Sequence, residues 1–217
     1  MVRLICLLTG YVFGMFQTAY FYGKMHGVDI RTMGSGNAGS TNALRVFGKK
    51  AGFTVLAGDI LKTMLAILIV KLLICPKYPE LHYLLVLYTA AGAILGHNFP
   101  FYLGFKGGKG IAATAGLILS FHPWFILVGV IAFFGTFFTT HYVSLGSLIV
   151  YLCFVIQIIV CGQTGFFEGM PQNAVYEMYA VAIFLAVMAY WRHRTNIVKL
   201  IHGEERKTYL FKRNKAD

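Results

Sequence analysis

Apolar residues run in stretches close to membrane length along most of the chain, at about residues 2–23, 52–74, 82–98, 110–121, 123–140, 143–162 and 175–191. A helix that crosses the hydrocarbon core needs roughly 20 such residues. These stretches therefore predict an all-α integral membrane protein: a compact bundle of about seven transmembrane helices, some short, forming a single polytopic domain over residues 1–217. Only 12% of the residues are charged and 58% are hydrophobic, against about a quarter charged in ordinary soluble domains, which argues against a water-soluble domain. Arg3 ahead of the first stretch imitates a secretory signal, but the apolar run continues to Phe21 without a small-x-small cleavage site, so a retained helix is expected. Residues 110–140 are long for one span and short for two. They break at His122-Pro123, because proline disfavours helix at the residue before it.

The few charges are mostly cationic, with 19 Lys and Arg against 8 Asp and Glu and a formal net charge of +11. That balance suits a membrane surface or anionic substrates better than nucleic acid, given the apolar bulk. Cations gather in three polar stretches. The first carries Lys24, Arg31, Arg45, Lys49 and Lys50; the second carries Lys106 and Lys109. The tail carries Arg192, Arg194, Lys199, Arg206, Lys207, Lys212, Arg213 and Lys215. The alternate loops near 75–81 and 163–174 hold only Lys77. The positive-inside rule then places all three basic stretches on the cytoplasmic side, with the N-terminus outside and the C-terminus inside. An even number of spans must separate the second stretch from the third, so 110–140 is expected to be two short spans. Arg3 at the outer end runs against the trend.

The first stretch contains GSGNAGSTNALR, residues 34–45. Gly34, Gly36 and Gly39 match a dinucleotide-binding spacing, but no strand precedes them and no βαβ unit surrounds them, so that match is set aside. The composition still suits an oxyanion cradle: glycines admit close backbone approach, Ser35, Asn37, Thr41 and Asn42 offer neutral donors, and Arg45 offers a planar fork. A glycine-rich turn facing water is the plainer alternative. The second stretch, GHNFPFYLGFKGGKGIAA from 96 to 113, presents Lys106, Gly107, Gly108, Lys109 and Gly110. Leu103 and Gly110 stand where a Walker A loop needs Gly and Ser or Thr, so ATP hydrolysis gains no support. A helix beginning near 110 would offer free N–H donors to a phosphate; a basic turn at lipid headgroups is the alternative. In the tail, WRHRTNIVKLIHGEERK from 191 to 207, His193 and Asn196 share a helical face, with Glu205 further on. Read alone, that tail more commonly meets anionic headgroups.

Cys6, Cys75, Cys153 and Cys161 form no CxxC pair, and neither HExxH nor HxxxxD occurs. No metal site or cofactor is called for. Asp59 and Lys62, three apart within the second apolar stretch, are costly in hydrocarbon unless paired or turned inward; an inward-facing pair near the site is favoured, with a structural salt bridge or a shallow, snorkelling pair as the alternatives.

The three motif loops, at 34–45, 96–111 and 192–207, stand in an order and spacing that resembles the cytosolic motifs of the bacterial acyl-phosphate:glycerol-3-phosphate acyltransferases, the PlsY family. The Asp59/Lys62 pair also looks like that family's D-x-x-K, while Ala113 stands where the family pattern carries Thr, with Thr114 beside it. The resemblance implies transfer of a fatty acyl group from acyl phosphate to the sn-1 hydroxyl of glycerol 3-phosphate. The products would be 1-acyl-sn-glycerol 3-phosphate (lysophosphatidic acid) and inorganic phosphate, in the first step of phospholipid synthesis at the cell membrane. It implies catalytic roles for Ser35, Arg45, Lys109, His193 and Asn196. Substrate contacts would come from Gly34, Gly36, Asn37, Gly39, Thr41, Asn42, Lys106, Gly107, Gly108 and Gly110, with Glu205 holding the tail. Membrane lipid, both substrates and an upstream enzyme that forms acyl phosphate are the implied partners. A small anion transporter is the alternative of a different class; it calls for charges at mid-membrane in both halves, whereas here they cluster at one side, Asp59 and Lys62 excepted.

Overall fold

The computed structural model describes residues 1–209; Lys212, Arg213 and Lys215 lie outside the described residues. Ten α-helices are described: α1 Val2–Gly14, α2 Thr18–Met25, α3 Ser40–Phe47, α4 Lys49–Leu73, α5 His82–Asn98, α6 Ile111–Phe121, α7 Pro123–Thr140, α8 Val143–Gln163, α9 Gln172–Arg192 and α10 Arg194–Ile201. No strand occurs among the described residues. Among the described residues, six segments are long and apolar enough to cross a membrane: Val2–Met25, Lys49–Lys77, Pro79–Leu103, Pro123–Thr140, Val143–Gln163 and Gln172–Arg192. The seventh apolar helix, α6, has 11 residues and spans only about 16 Å at 1.5 Å per residue. Lys71 Nζ donates to the Ser120 carbonyl in its last turn, and Phe121 at its end meets Tyr83 at the start of α5.

The first apolar segment departs from the expected continuous helix. It breaks at Met15–Gln17, because tertiary donors take up carbonyls that the break frees. Tyr102 Oη donates to Met15 O at 2.8 Å and Lys62 Nζ to Phe16 O at 2.6 Å. Gln17, fully buried, donates through Nε2 to His97 O at 2.9 Å. In lipid an unpaired backbone carbonyl costs several kcal/mol, so these partners decide where the kink can stand.

α1 packs directly on α5. Gly10 and Gly14 on α1 and Gly92 and Gly96 on α5 lie so close to the opposing backbone that a Cβ at any of them would collide with it, the small-residue contact that lets membrane helices approach. Leu7 meets Gly92 and Tyr11 meets Gly96, so the two helices run in the same direction. At the start of α1, Arg3 grips Glu177 on α9 at 2.6 and 2.8 Å, and Tyr88 on α5 donates to the same carboxylate at 2.7 Å. Arg3, which runs against the charge pattern, is thus paired.

The break at 122 is as the sequence suggests. His122 caps α7, its Nδ1 accepting from Trp124 N at 3.3 Å. Gly110, at the start of α6, and Phe137, near the end of α7, line one cavity, so the chain goes into the bundle and returns between them. That return brings the second and third basic stretches to one end of the molecule.

Candidate active site

Each loop is built by its own backbone needs. In the first, Gly34 and Gly36 take φ of +60° and +70°, a region that side chains resist. Asn42, 1% exposed on α3, organises the turn: its Oδ1 accepts from Ser35 N at 2.9 Å, and its Nδ2 donates to Ile30 O at 3.2 Å and Met33 O at 3.0 Å. Both amide hydrogens of Asn42 are therefore committed to the loop, and Ser35 is what it presents.

In the second, the chain after α5 folds back so that Gly107 N bonds Asn98 O at 3.2 Å and Gly108 N bonds His97 O at 3.1 Å. A Cβ at Gly108 would land on the His97 ring and the Ala38 carbonyl. Arg192, at the end of α9, clamps the loop from outside, donating through Nη2 to Gly107 O at 3.0 Å and Gly108 O at 2.6 Å. Gly110, at φ +85°, opens α6, and Lys109 emerges just before it.

The third loop closes over both. Lys109 Nζ donates to Asn196 Oδ1. Asn196 Nδ2 donates to Glu205 Oε1 at 2.7 Å, and Ser144 Oγ on α8 donates to the same oxygen at 2.8 Å. Arg45 reaches Thr208 Oγ1 at 3.4 Å. His193, 3% exposed, donates from Nδ1 to Ala189 O at 2.8 Å, since a carbonyl can only accept. Its Nε2 is left as a bare acceptor.

Two cavities adjoin here. One, of about 290 Å³, is walled by Phe53, Leu56, Phe133 and Phe137 and reaches Asp59 and His97. The other, of about 800 Å³, is a polar basin bearing Arg31, Lys106, Arg192 and Lys199. Ser35, Asn37, Arg45, Lys109, Asn196 and Glu205 line both. Gly39, Thr41, Asn42, Gly110 and His193 face the apolar cavity, Gly34, Gly36, Lys106 and Gly107 the basin, and Gly108 is buried between His97 and Ala38. All sixteen expected site residues thus fall within one neighbourhood.

Electrostatics follow from this crowding. Burial pulls Lys109 down to about 8; Glu205 opposes that, while Arg192, Arg45 and Lys199 reinforce it. Burial also holds Arg45 below its ordinary value, partly countered by Glu205. His193 falls to about 4, again chiefly through burial, and is neutral near pH 7. Asp59 and Lys62 turn inward, 1% and 5% exposed and 2.8 Å apart, with Thr18 donating to Asp59 at 2.9 Å. Among the described residues no three His, Cys, Asp or Glu side chains gather as a metal site.

Several residues at the site escaped the sequence reading. Arg192 reads only as part of a basic tail, Ser144 and Thr208 carry no signal at all, and His97 stands in its motif as a possible base beside His193 but not among the expected site residues. The pairing of Arg192 with Gly107 and Gly108 depends on where α9 ends relative to a loop 84 residues away, which spacing alone does not encode.

Fold and site together define an integral membrane protein that gathers cations where an apolar cavity meets a polar basin. The family model described as glycerol-3-phosphate acyltransferase matches residues 4–203, and the chain belongs to that family, the PlsY type of membrane acyltransferase. A glycerol-3-phosphate acyltransferase of Staphylococcus saprophyticus is 40% identical over 212 residues, covering 95% of this chain and 98% of the relative. One from Clostridioides difficile is 38% identical over 206 residues, covering 94% of each. The crystal structure of PlsY (YgiH), an integral membrane glycerol 3-phosphate acyltransferase, in its glycerol 3-phosphate form, superposes with a TM-score of 0.76 at 31% identity, covering 96% of both chains. Its lysophosphatidic acid form gives 0.74 at 30% identity, with the same coverage.

Proposed function

We propose that the protein moves a fatty acyl group from acyl phosphate to the sn-1 hydroxyl of glycerol 3-phosphate, giving 1-acyl-sn-glycerol 3-phosphate and inorganic phosphate. The observation that carries this reading is the shared wall: Ser35, Arg45, Lys109 and Asn196 border both the apolar cavity and the polar basin. A donor with an alkyl chain and a phosphate, and an acceptor that is a small soluble phosphate, would meet on such a wall. The solved relative's glycerol 3-phosphate and lysophosphatidic acid forms correspond to the acceptor and the acylated product of this reaction. The site faces the cytoplasm in this reading, with the N-terminus outside, and an upstream enzyme supplies the acyl phosphate.

The chain of the donor lies along Phe53, Leu56, Phe133 and Phe137, and its phosphate lies on Ser35, Arg45 and Lys109. Glycerol 3-phosphate enters through the basin, past Lys106 and the Gly107–Gly108 turn. The sn-1 oxygen attacks the acyl carbon, the bond from that carbon to the bridging oxygen breaks, and the electron pair leaves on phosphate, whose charge the two cations match. His193 Nε2 accepts a hydrogen bond from the hydroxyl and orients it. At about 4 it is a weaker base than a phosphate monoester, whose second pKa is about 6, so a phosphate oxygen takes the proton.

The test is transfer by purified protein in lipid nanodiscs given acyl phosphate and glycerol 3-phosphate without CoA or ATP. One phosphate released per acyl glycerol 3-phosphate formed is the expected result, abolished by Arg45→Ala or Lys109→Ala with the fold retained. Transfer from an acyl thioester only, or solute flux in vesicles without transfer, would count against the proposal.

A further inference from the structure

A second imidazole lines the apolar cavity beside His193, and the acyl-transfer scheme gives it no task. His97, near the end of α5, is 2% exposed. Its Nδ1 lies 2.9 Å from Lys62 Nζ. An ammonium has donors only, and the three hydrogens of Lys62 find three acceptors: Phe16 O at 2.6 Å, Asp59 Oδ1 at 2.8 Å and His97 Nδ1. Nδ1 therefore carries the lone pair, and the ring proton sits on Nε2. No described residue accepts a hydrogen bond from Nε2. Gly108 passes so near it that a Cβ would land on it, and the next residue is Lys109.

His193 shows the opposite arrangement, with Nδ1 tied to Ala189 O and Nε2 bare. The cavity thus holds one imidazole fixed as a donor and one fixed as an acceptor.

Building on the acyl-phosphate reading, we infer that His97 Nε2–H donates a hydrogen bond to the carbonyl oxygen of the acyl phosphate, with Lys62 and Asp59 as positioning residues that hold its tautomer. The carbonyl is favoured over the phosphate on grounds of charge. Beside His97 the Asp59 carboxylate, 3.7 Å from Nδ1, and the Lys62 ammonium, 2.8 Å from that carboxylate, cancel, so a dianionic phosphate gains no net charge there and is drawn to Arg45 and Lys109. The carbonyl oxygen is neutral at the start and gains charge only as the sn-1 oxygen attacks, so a donor placed on it stabilises the transition state more than the ground state. The ammonium on the far side of the ring polarises it and strengthens the Nε2–H donor. The proton stays on Nε2 throughout.

Two variants in nanodiscs separate this role from a merely structural one: His97→Leu removes the donor, and His97→Gln keeps an N–H near the same reach. Expected are a loss in kcat of about 100-fold in H97L with KM for glycerol 3-phosphate unchanged within about twofold, and recovery of about tenfold in H97Q. Equal losses in both variants, or a loss confined to KM, would overturn the assignment. Spectra of 15N-histidine-labelled wild-type protein give a readout that needs no turnover, with the His97 signals identified by their absence in H97Q. Expected are a protonated Nε2 and a bare Nδ1 from about pH 6 to 8. The Nε2 signal should also shift on adding a palmitoyl phosphonate in which CH2 replaces the bridging oxygen and the carbonyl is kept. A proton on Nδ1, or an Nε2 signal indifferent to the phosphonate, sinks the inference. A wild-type protein that releases no phosphate from acyl phosphate counts against the donor reading instead, and the spectra still decide His97.

Discussion

Lys109 Nζ donates to Asn196 Oδ1 across 87 residues of sequence, and that one bond joins the glycine-rich loop before α6 to the helix that follows α9. Asn196 passes the tie on to Glu205, and Glu205 to Ser144 on α8. The cation at the shared wall of the two cavities is therefore held by a relay of neutral and acidic groups and not by a direct ion pair, which leaves its charge available to a phosphate.

The first consequence is a pH dependence. Burial brings Lys109 down to about 8, so its charge is present below that pH and lost above it. For the free protein, kcat/KM for glycerol 3-phosphate is expected to fall as pH rises through about 8, and Lys109→Arg to move that fall upward, because arginine keeps its proton. Stability runs the other way. The unfolded chain holds this proton up to the ordinary lysine value while the folded chain does not, so the contribution of Lys109 to stability rises with pH above about 8. Activity lost while the melting temperature holds identifies titration and not unfolding.

Glu205 supports Lys109 both by charge and through Asn196. Glu205→Gln keeps an acceptor for Asn196 and Ser144 but removes the charge that favours the ammonium, so the alkaline fall should move to lower pH. Glu205→Ala strands both donors and is expected to cost about 1.5–3 kcal/mol of stability, read as a lower melting temperature in detergent.

Two glycines of the same loop should respond differently. Gly108→Ala drives a methyl group into the His97 ring and the Ala38 carbonyl, and a displacement of about 1 Å at a catalytic group can lower the rate by about 100-fold. Gly104 sits at φ +63° with nothing within 4 Å of an added Cβ, so Gly104→Asn, which tolerates that conformation, should retain nearly full activity in the same assay.

Arg192 holds the loop by two carbonyls and leans on the Phe99 ring at 5.3 Å. Arg192→Lys keeps the charge and loses the planar group. KM for glycerol 3-phosphate is expected to rise about tenfold with kcat little changed, on the order of one hydrogen bond to a charged group.

Much of this was legible in the sequence. Apolar runs near 20 residues give the helices, and the alternation of strongly basic loops with loops that carry little charge points to an even number of helices between Lys109 and Arg192, as α6 to α9 provide. What spacing could not give was the kink at Met15–Gln17, which depends on donors from Tyr102 and Lys62 far along the chain. Within the candidate site, the glycines, lysines and Arg45 read as a candidate anion site through composition alone, and the structure brings them to one neighbourhood. Arg192 and Ser144 stay hidden because each works through a partner in a distant loop, and a lone serine in an apolar run looks like any other. Asn42 shows the reverse case: its type suggests a substrate donor, yet its amide serves the loop that presents Ser35.

The central claim is that a donor from the membrane and an acceptor from water meet on one wall. Asn37 borders both cavities, so a cysteine placed there, in a protein whose four native cysteines are replaced, reports on each. Modification of Asn37→Cys by a water-soluble maleimide should be slowed by saturating glycerol 3-phosphate alone and, separately, by the unreactive palmitoyl phosphonate alone. Protection by one ligand and none by the other would mean that the two substrates occupy separate places, and the shared wall would have to be abandoned.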